Sequence, residues 1–210
     1  MKKKLSVWLL LMAAFAMVIS FSACGSSDEE AAAEDVTEEV AEETVDGSAY
    51  GYAGTDPLEF AIYQYMAEEV SKNYDQAEVS IPTVSIFHID YTNDEDVLAM
   101  GDFWLENYYV EGDTLKCVSG GNYPGVFHLK KDGENYTVDH FDVVADGAGF
   151  DASARELFGE YYEDFMKIYS DSDARNELRK ITVSDYVNLN GLDINYYQDE
   201  GWDPVELYRQ

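Results

Sequence analysis

The three histidines of the chain all lie in segments whose alternating pattern predicts β-strands. His88 and His140 are each followed two residues later by an aspartate, Asp90 and Asp142. Residues i and i+2 of a strand point to the same face, so each pair can place a carboxylate beside an imidazole. Such a carboxylate raises the basicity of the ring and orients it. Clustered with His128, these groups could perform acid–base chemistry or bind a metal ion; scattered, they are polar partners on a half-exposed sheet.

Aromatic side chains offer a second kind of binding chemistry. The chain contains 17 Tyr, ten Phe and three Trp, and Tyr and Trp are typical of surfaces that are partly apolar and partly wet. Trp104 and Tyr108 share one face of a predicted strand, which either packs in the core or lines a pocket for a sugar, a peptide or a small cation. The candidate ligand-binding residues are therefore His88, Trp104, Tyr108, His128, His140 and Asp142.

Cys117 could act as a nucleophile only with a histidine within hydrogen-bonding distance. His128 could lie across a hairpin from it, but no protease signature surrounds Cys117, and a small apolar strand residue is the simpler interpretation. A zinc site made by two histidines and Cys117 lacks a diagnostic spacing. The acidic runs at 90–96 and 142–147 do not have the spacing of a calcium loop. We therefore expect no catalytic residues, no metal and no cofactor.

The elements that must position these residues begin with a helix over 56–74. Asp56 is a good N-cap, Pro57 suits the first helical position, and Glu59 completes a capping box. Alternating patterns then predict five strands joined by short, turn-rich loops, which indicate antiparallel neighbours. The predicted strands cover residues 84–91, 96–111, 114–119, 125–131 and 136–145.

Helical patterns return after the strands. Ser153 starts a capping box, and the apolar stripe that follows predicts one helix through Tyr169. A second helix is predicted to end at Asn190-Gly191, where glycine suits a left-handed stop. A short strand is expected shortly afterwards, and Trp202 is expected to pin the tail to the core.

The predicted fold class is α+β: an N-terminal helix packed on a curved antiparallel meander of four to five strands, followed by two helices. This element order, over residues 56–189, resembles the cystatin-like and nuclear-transport-factor-2-like group, in which a curved sheet wraps a helix. The resemblance implies a conical pocket between sheet and helix, used for small ligands, catalysis or pairing. The two helices after the sheet depart from the latter family, whose helices usually precede it.

The first 24 residues concern targeting. Three lysines follow the initial methionine, residues 5–23 carry no charge, and Phe21-Ser22-Ala23-Cys24 ends the apolar run. This arrangement resembles the lipobox of bacterial lipoproteins, which are cleaved before the cysteine and acylated on it. The resemblance implies a signal peptide at 1–23, lipidation of Cys24, and attachment to the cell membrane facing outside the cytoplasm. The alternative is an uncleaved membrane helix.

Charge separates the remainder into two parts. Residues 24–50 hold ten acidic residues and no Lys or Arg, which predicts a disordered tether. The single domain at 51–210 holds 33 of the 43 acidic residues and ten basic ones, so its net charge is −23. That charge argues against nucleic-acid binding, which needs Lys and Arg, and favours cationic partners.

Together these features predict a membrane-anchored extracytoplasmic lipoprotein that binds a ligand without catalysis. The expected partners are the membrane, through the lipid on Cys24, and a small or cationic ligand or a cell-surface component. Two alternatives stay open: a protein–protein adaptor, and an extracytoplasmic hydrolase that uses a His/Asp cluster.

Overall fold

The structure, a computed structural model, describes residues 47–209. The predicted signal peptide, Cys24 and the tether up to residue 46 lie outside the described residues. Within them, no helix is both long and apolar enough to cross a membrane. The segment before α1 packs on that helix, since the Tyr50 ring lies edge-on against Phe60 at 5.8 Å and Tyr52 is buried.

The described residues form a mixed α+β domain with four α-helices and a sheet of seven strands. In chain order, and apart from short 3-10 turns, the elements are α1 (Pro57–Glu68), β1 (Val79–Asp90), β2 (Val97–Glu111), β3 (Thr114–Asn122), β4 (Gly125–Asp132), β5 (Asn135–Val143), α2 (Phe150–Phe158), α3 (Tyr162–Ser170), α4 (Ser172–Leu189), β6 (Tyr196–Gln198) and β7 (Val205–Glu206).

The long strand β2 organises the sheet. One of its edges pairs with β1, and the other pairs with β4 near the strand's start and with β3 toward its end. β5 lies beside β4, whereas β6 runs parallel to β3 and carries β7 at its outer side. All pairs except β3–β6 are antiparallel, which confirms the hairpins predicted between β1 and β2, β2 and β3, and β4 and β5.

The prediction that β3 and β4 are adjacent is wrong. Both strands pair with the same edge of β2, one after the other, so the chain continues past Gly120–Gly125 without reversing. The glycines there serve close approach rather than a turn. A Cβ on Gly120 would lie 2.5 Å from the Leu105 carbonyl oxygen, and one on Gly121 would lie 2.4 Å from the Tyr74 hydroxyl.

Helices cover both faces of the sheet. α1 packs on one face around Phe103, Leu105 and Phe127, as the alternation along β2 requires. α2, α3 and α4 pack on the other face, where Met100 and Tyr108 lie. The pocket implied between the sheet and the first helix is filled at its centre by these buried core residues.

The helical region after the sheet contains three helices where two were predicted. Gly159, at a φ of 52°, ends α2 and separates it from α3. Ser153 is not an N-cap, since the helix begins at Phe150 and the Ser153 hydroxyl donates to the Gly149 carbonyl. Trp202 is 75% exposed and does not anchor the tail; Leu207 is buried instead.

The predicted stop of α4 is confirmed. Gly191 has a φ of 59°, and the Leu192 N–H donates to the Val187 carbonyl, which is the 6→1 hydrogen bond of a Schellman motif. At the start of α1, the Glu59 N–H donates to the Asp56 carboxylate at 2.8 Å, as the capping pattern predicts.

Candidate functional site

Two of the three histidines meet on β4 and β5. His128 and His140 are direct cross-strand partners, and their rings stack with centroids 3.9 Å apart. Phe127 and Leu129 both point into the core under α1, so the alternation of β4 turns His128 to the opposite face. Hydrophobic side chains on either side of His128 therefore decide where its ring lies.

A β-bulge in β5 brings Asp139 to the same face of the sheet as His140. The register between β4 and β5 shifts between His128 and Leu129. Val138 and Phe141 both pack on the core under α1, which leaves the two residues between them, Asp139 and His140, to the other side. A bulge of this kind re-aims side chains, and here it sets a carboxylate beside an imidazole.

Asp142 completes a cluster with the two histidines, which we call the histidine site (His128, His140 and Asp142). One ligand atom from each of the three residues lies within 4.8 Å of the others. The His128 Nε2 atom is 3.6 Å from the Asp142 Oδ2 atom. Two imidazoles and a carboxylate form a donor set that suits Zn²⁺ and neighbouring transition-metal ions.

Both histidines have their other ring nitrogen held by a carboxylate. His128 Nδ1 is 2.7 Å from Asp96 Oδ1, and His140 Nδ1 is 3.0 Å from Asp139 Oδ2. Hydrogen bonds from Lys130, at 2.6 Å, and from His140 lower the pKa of Asp139, so this carboxylate stays ionised. The Nε2 atoms are therefore the ring nitrogens left for an ion, and carboxylates hold the other ring nitrogen of metal-binding histidines in the same way.

The spacing of the site is wider than a bound ion requires. A tetrahedral zinc with bonds of about 2.0–2.1 Å holds its ligand atoms about 3.3 Å apart. The side chains of His140 and Asp142 are 51% and 57% exposed, whereas that of His128 is 18% exposed. Closure of the site thus requires rotation of two exposed side chains around one that is held in place.

A groove of about 450 Å³ adjoins the histidine site between the sheet and α2. His128 and Asp142 form part of its wall. The remaining lining is mainly apolar, with two polar residues from α2, and consists of Leu98, Met100, Val126, Val143, Ser153, Glu156 and Leu157.

The other residues selected from the sequence lie elsewhere. His88 is on β1, which β2 separates from β4, and its ring stacks on Tyr161 with centroids 3.7 Å apart. Tyr108 is fully buried beneath α4, and Trp104 lies under the Arg175 guanidinium at 4.1 Å. The interpretation of Trp104 and Tyr108 as a ligand platform is therefore replaced by a role in packing α4 on the sheet.

Cys117 does not meet His128. Their partners on β2 are Tyr108 and Leu98, which places them about 33 Å apart along that strand at roughly 3.3 Å per residue. Burial raises the pKa of the Cys117 thiol to about 11, so the thiolate needed by a nucleophile is suppressed.

Buried charges lie under α4, and they are paired with each other. Arg179 binds both carboxylate oxygens of Asp199, at 2.7 and 2.8 Å, donates to the Tyr108 hydroxyl at 3.0 Å, and lies 3.4 Å from a Glu106 oxygen. A groove of about 590 Å³ opens beside this network, next to the exposed Trp202. Because Arg179 and Asp199 satisfy each other, they present no free charge to a ligand there.

Two carboxylic acids beneath α4 have raised pKa values. Burial raises the pKa of Glu106 to about 7, although Arg179 partly opposes the shift. Burial likewise raises the pKa of Asp102 to about 6, against the opposing effect of Arg175. These shifts arise inside an ion-pair network that joins α4 to β2. We therefore attribute them to the packing of this helix on the sheet rather than to a binding site.

Sequence reasoning missed the acidic partners of the histidines. Asp96 stands in the loop before β2, 32 residues from His128, and no local pattern connects the two. Asp139 was not predicted to contact His140, because strict alternation places neighbouring strand residues on opposite faces. The sequence signal for the bulge was the apolar pair Val138 and Phe141. Residues three apart point to opposite faces of a regular strand, so both can pack on one core only if the strand is irregular.

No protein-family model, no curated protein and no solved structure matches this chain significantly. Functional interpretation therefore depends on the geometry of the site.

Proposed function

We propose that this protein is a lipid-anchored extracytoplasmic binding protein whose ligand is a transition-metal ion of the zinc class. The ion binds His128 and His140 through their Nε2 atoms and Asp142 through a carboxylate oxygen. The single observation that carries the proposal is that one ligand atom from each of these three residues lies within 4.8 Å of the others.

The carboxylates behind the histidines support the choice of metal. Asp96 and Asp139 hold the Nδ1 atoms, which increases the electron density on the opposite nitrogens and leaves Nε2 of each ring for an ion. Imidazole ligands suit Zn²⁺, Cu²⁺ and Ni²⁺, whereas Ca²⁺ and Mg²⁺ prefer sites made of oxygen atoms. The net charge of −23 on the domain further raises the local concentration of cations.

Zinc titration of the full-length protein in mild detergent tests this function. After removal of metal by a chelator, isothermal titration calorimetry should show one Zn²⁺ per chain, and His140→Ala should weaken binding at least about tenfold. His88→Ala is the matched control, because His88 is a histidine of the same sheet that stacks on Tyr161 away from the site. Absence of stoichiometric binding, or equal losses in both variants, would disprove the proposal.

The anchor is a separate part of the proposal. It is supported by the uncharged run 5–23 that ends at Phe21-Ser22-Ala23-Cys24, and by the acidic segment after it, which would hold the domain away from an anionic membrane surface. Two or more acyl chains on Cys24 would make the attachment stable.

Metabolic labelling with a clickable fatty acid tests the anchor. Wild type should carry the label and sediment with membranes, and Cys24→Ser should lose the label. Cys117→Ser is the control, since Cys117 is the free cysteine of the described residues and lies on β3. A label that persists in Cys24→Ser, or that disappears in Cys117→Ser, contradicts lipidation at Cys24.

A further inference from the structure

The histidine site and the groove beside α2 share a wall. His128 and Asp142, two of the three ligand residues, line this groove. Three protein ligands leave at least one position of a tetrahedral ion open, as in zinc sites that accept a water or a substrate. An ion held by these residues would lie beside the groove, where its remaining position could take a ligand atom.

The groove is suited to an apolar group. Met100 and Val126 are buried in its floor, and Val143 at its edge is 45% exposed. A volume of about 450 Å³ lies within the range of small-molecule sites. Exposed apolar surface in a concave site favours a ligand that covers it.

The polar groups of the groove differ in their availability. The Ser153 hydroxyl is already used, because it donates to the Gly149 carbonyl and accepts from the Ala145 N–H. Glu156 is exposed on α2, and within residues 47–209 its carboxylate has no hydrogen-bond or ion-pair partner. The groove thus combines one available carboxylate and an apolar floor beside the histidine site.

From this combination we propose that the metal-loaded protein captures molecules with an α-amino group, an adjacent carbonyl or carboxylate oxygen, and an apolar side chain. The oxygen binds the ion, the ammonium group pairs with Glu156, and the side chain covers Val143 and Leu157 in the groove. An apolar amino acid and the apolar amino terminus of a peptide share this chemistry. This inference rests on the proposed metal-binding function.

Calorimetry with four probes tests it on the zinc-loaded full-length protein in detergent. L-leucine should bind at least about tenfold more tightly than glycine, which lacks the side chain, and than N-acetylleucine, which lacks the ammonium group. Zinc-free protein should bind none of them. Leucinamide separates the sources: binding equal to that of leucine indicates a peptide amino terminus, and binding of leucine alone indicates a free amino acid.

Two groove variants have matched controls. Glu156→Gln and Leu157→Gln should each weaken leucine binding at least about tenfold while one Zn²⁺ per chain is retained. Glu160→Gln and Leu189→Gln make the same changes at exposed positions away from the groove and should change neither zinc nor leucine binding.

The outcomes distinguish the two proposals. If zinc binds but leucine does not, or if leucine binds equally with and without zinc, this inference fails and the metal-binding function stands. If leucine binding survives both groove variants, the groove is not its site and the inference also fails. If zinc itself does not bind, the metal-binding function fails first and this inference with it.

Discussion

Replacement of Arg179 by methionine should destabilise the domain by about 3 kcal/mol at pH 8. Methionine keeps much of the apolar stem but removes the charge from a residue that is only 9% exposed. The loss leaves Glu106 and Tyr108 buried without their partner, and breaking a buried pair costs roughly 3–5 kcal/mol. Asp199 is 42% exposed and regains contact with water, which places the expected value at the lower end.

The loss should shrink in acid, because burial raises the pKa of Glu106 from 4.5 to about 7. The folded state then binds more protons than the unfolded state between these values, and stability falls as the pH rises through this window. Without Arg179 the pKa of Glu106 rises further, so the stability of the variant falls more steeply with pH than that of wild type. Near pH 5 both proteins hold Glu106 protonated, and the difference between them should drop below about half of its value at pH 8.

Urea denaturation at pH 5 and pH 8 measures both effects. Arg155→Met is the matched control, because Arg155 forms an exposed pair with Asp151 at 3.0 Å on α2. Such exposed pairs contribute little to stability, because water and salt screen them. A loss below 1 kcal/mol for Arg179→Met at pH 8, or an equal loss at both pH values, would refute the view that Arg179 neutralises a buried acid.

Two further substitutions test local features of the site and the fold. Asp96→Asn removes the carboxylate behind His128 Nδ1 and should weaken zinc binding about 10–100-fold in calorimetry; an unchanged affinity would show that Asp96 does not orient the ring. Gly191→Ala forces a Cβ onto a residue at a φ of 59° with open space around it. It should therefore cost about 1–2 kcal/mol in urea denaturation, from backbone strain alone, and an unchanged midpoint would argue against the left-handed stop.

Much of the local structure could be predicted from the sequence. The cap at Asp56, the stop at Gly191 and the approximate bounds of β2, β4 and β5 depend on neighbouring residues, and their patterns are visible in the chain. The proximity of His140 and Asp142 follows from strand alternation in the same way.

The pairing of strands could not be read from those patterns. β3 and β4 both fit the edge of β2, because β2 is long enough for two partners in succession, and Gly120 and Gly121 allow the close approach. This arrangement places Leu98 opposite His128 and keeps Cys117 at the other end of the strand. Strand register depends on packing across distant residues, so a prediction from local loops failed here.

By itself, therefore, the sequence determined much of the local structure, the strong negative charge, and a His-x-Asp pair on one face of a strand. Only the tertiary structure decided that His128 joins this pair, that a bulge brings Asp139 to His140, and that Asp96 reaches His128 from another strand's loop. The physical reason is distance along the chain: side-chain direction within a strand is a local property, whereas the meeting of ligands depends on how the core under α1 sets the register.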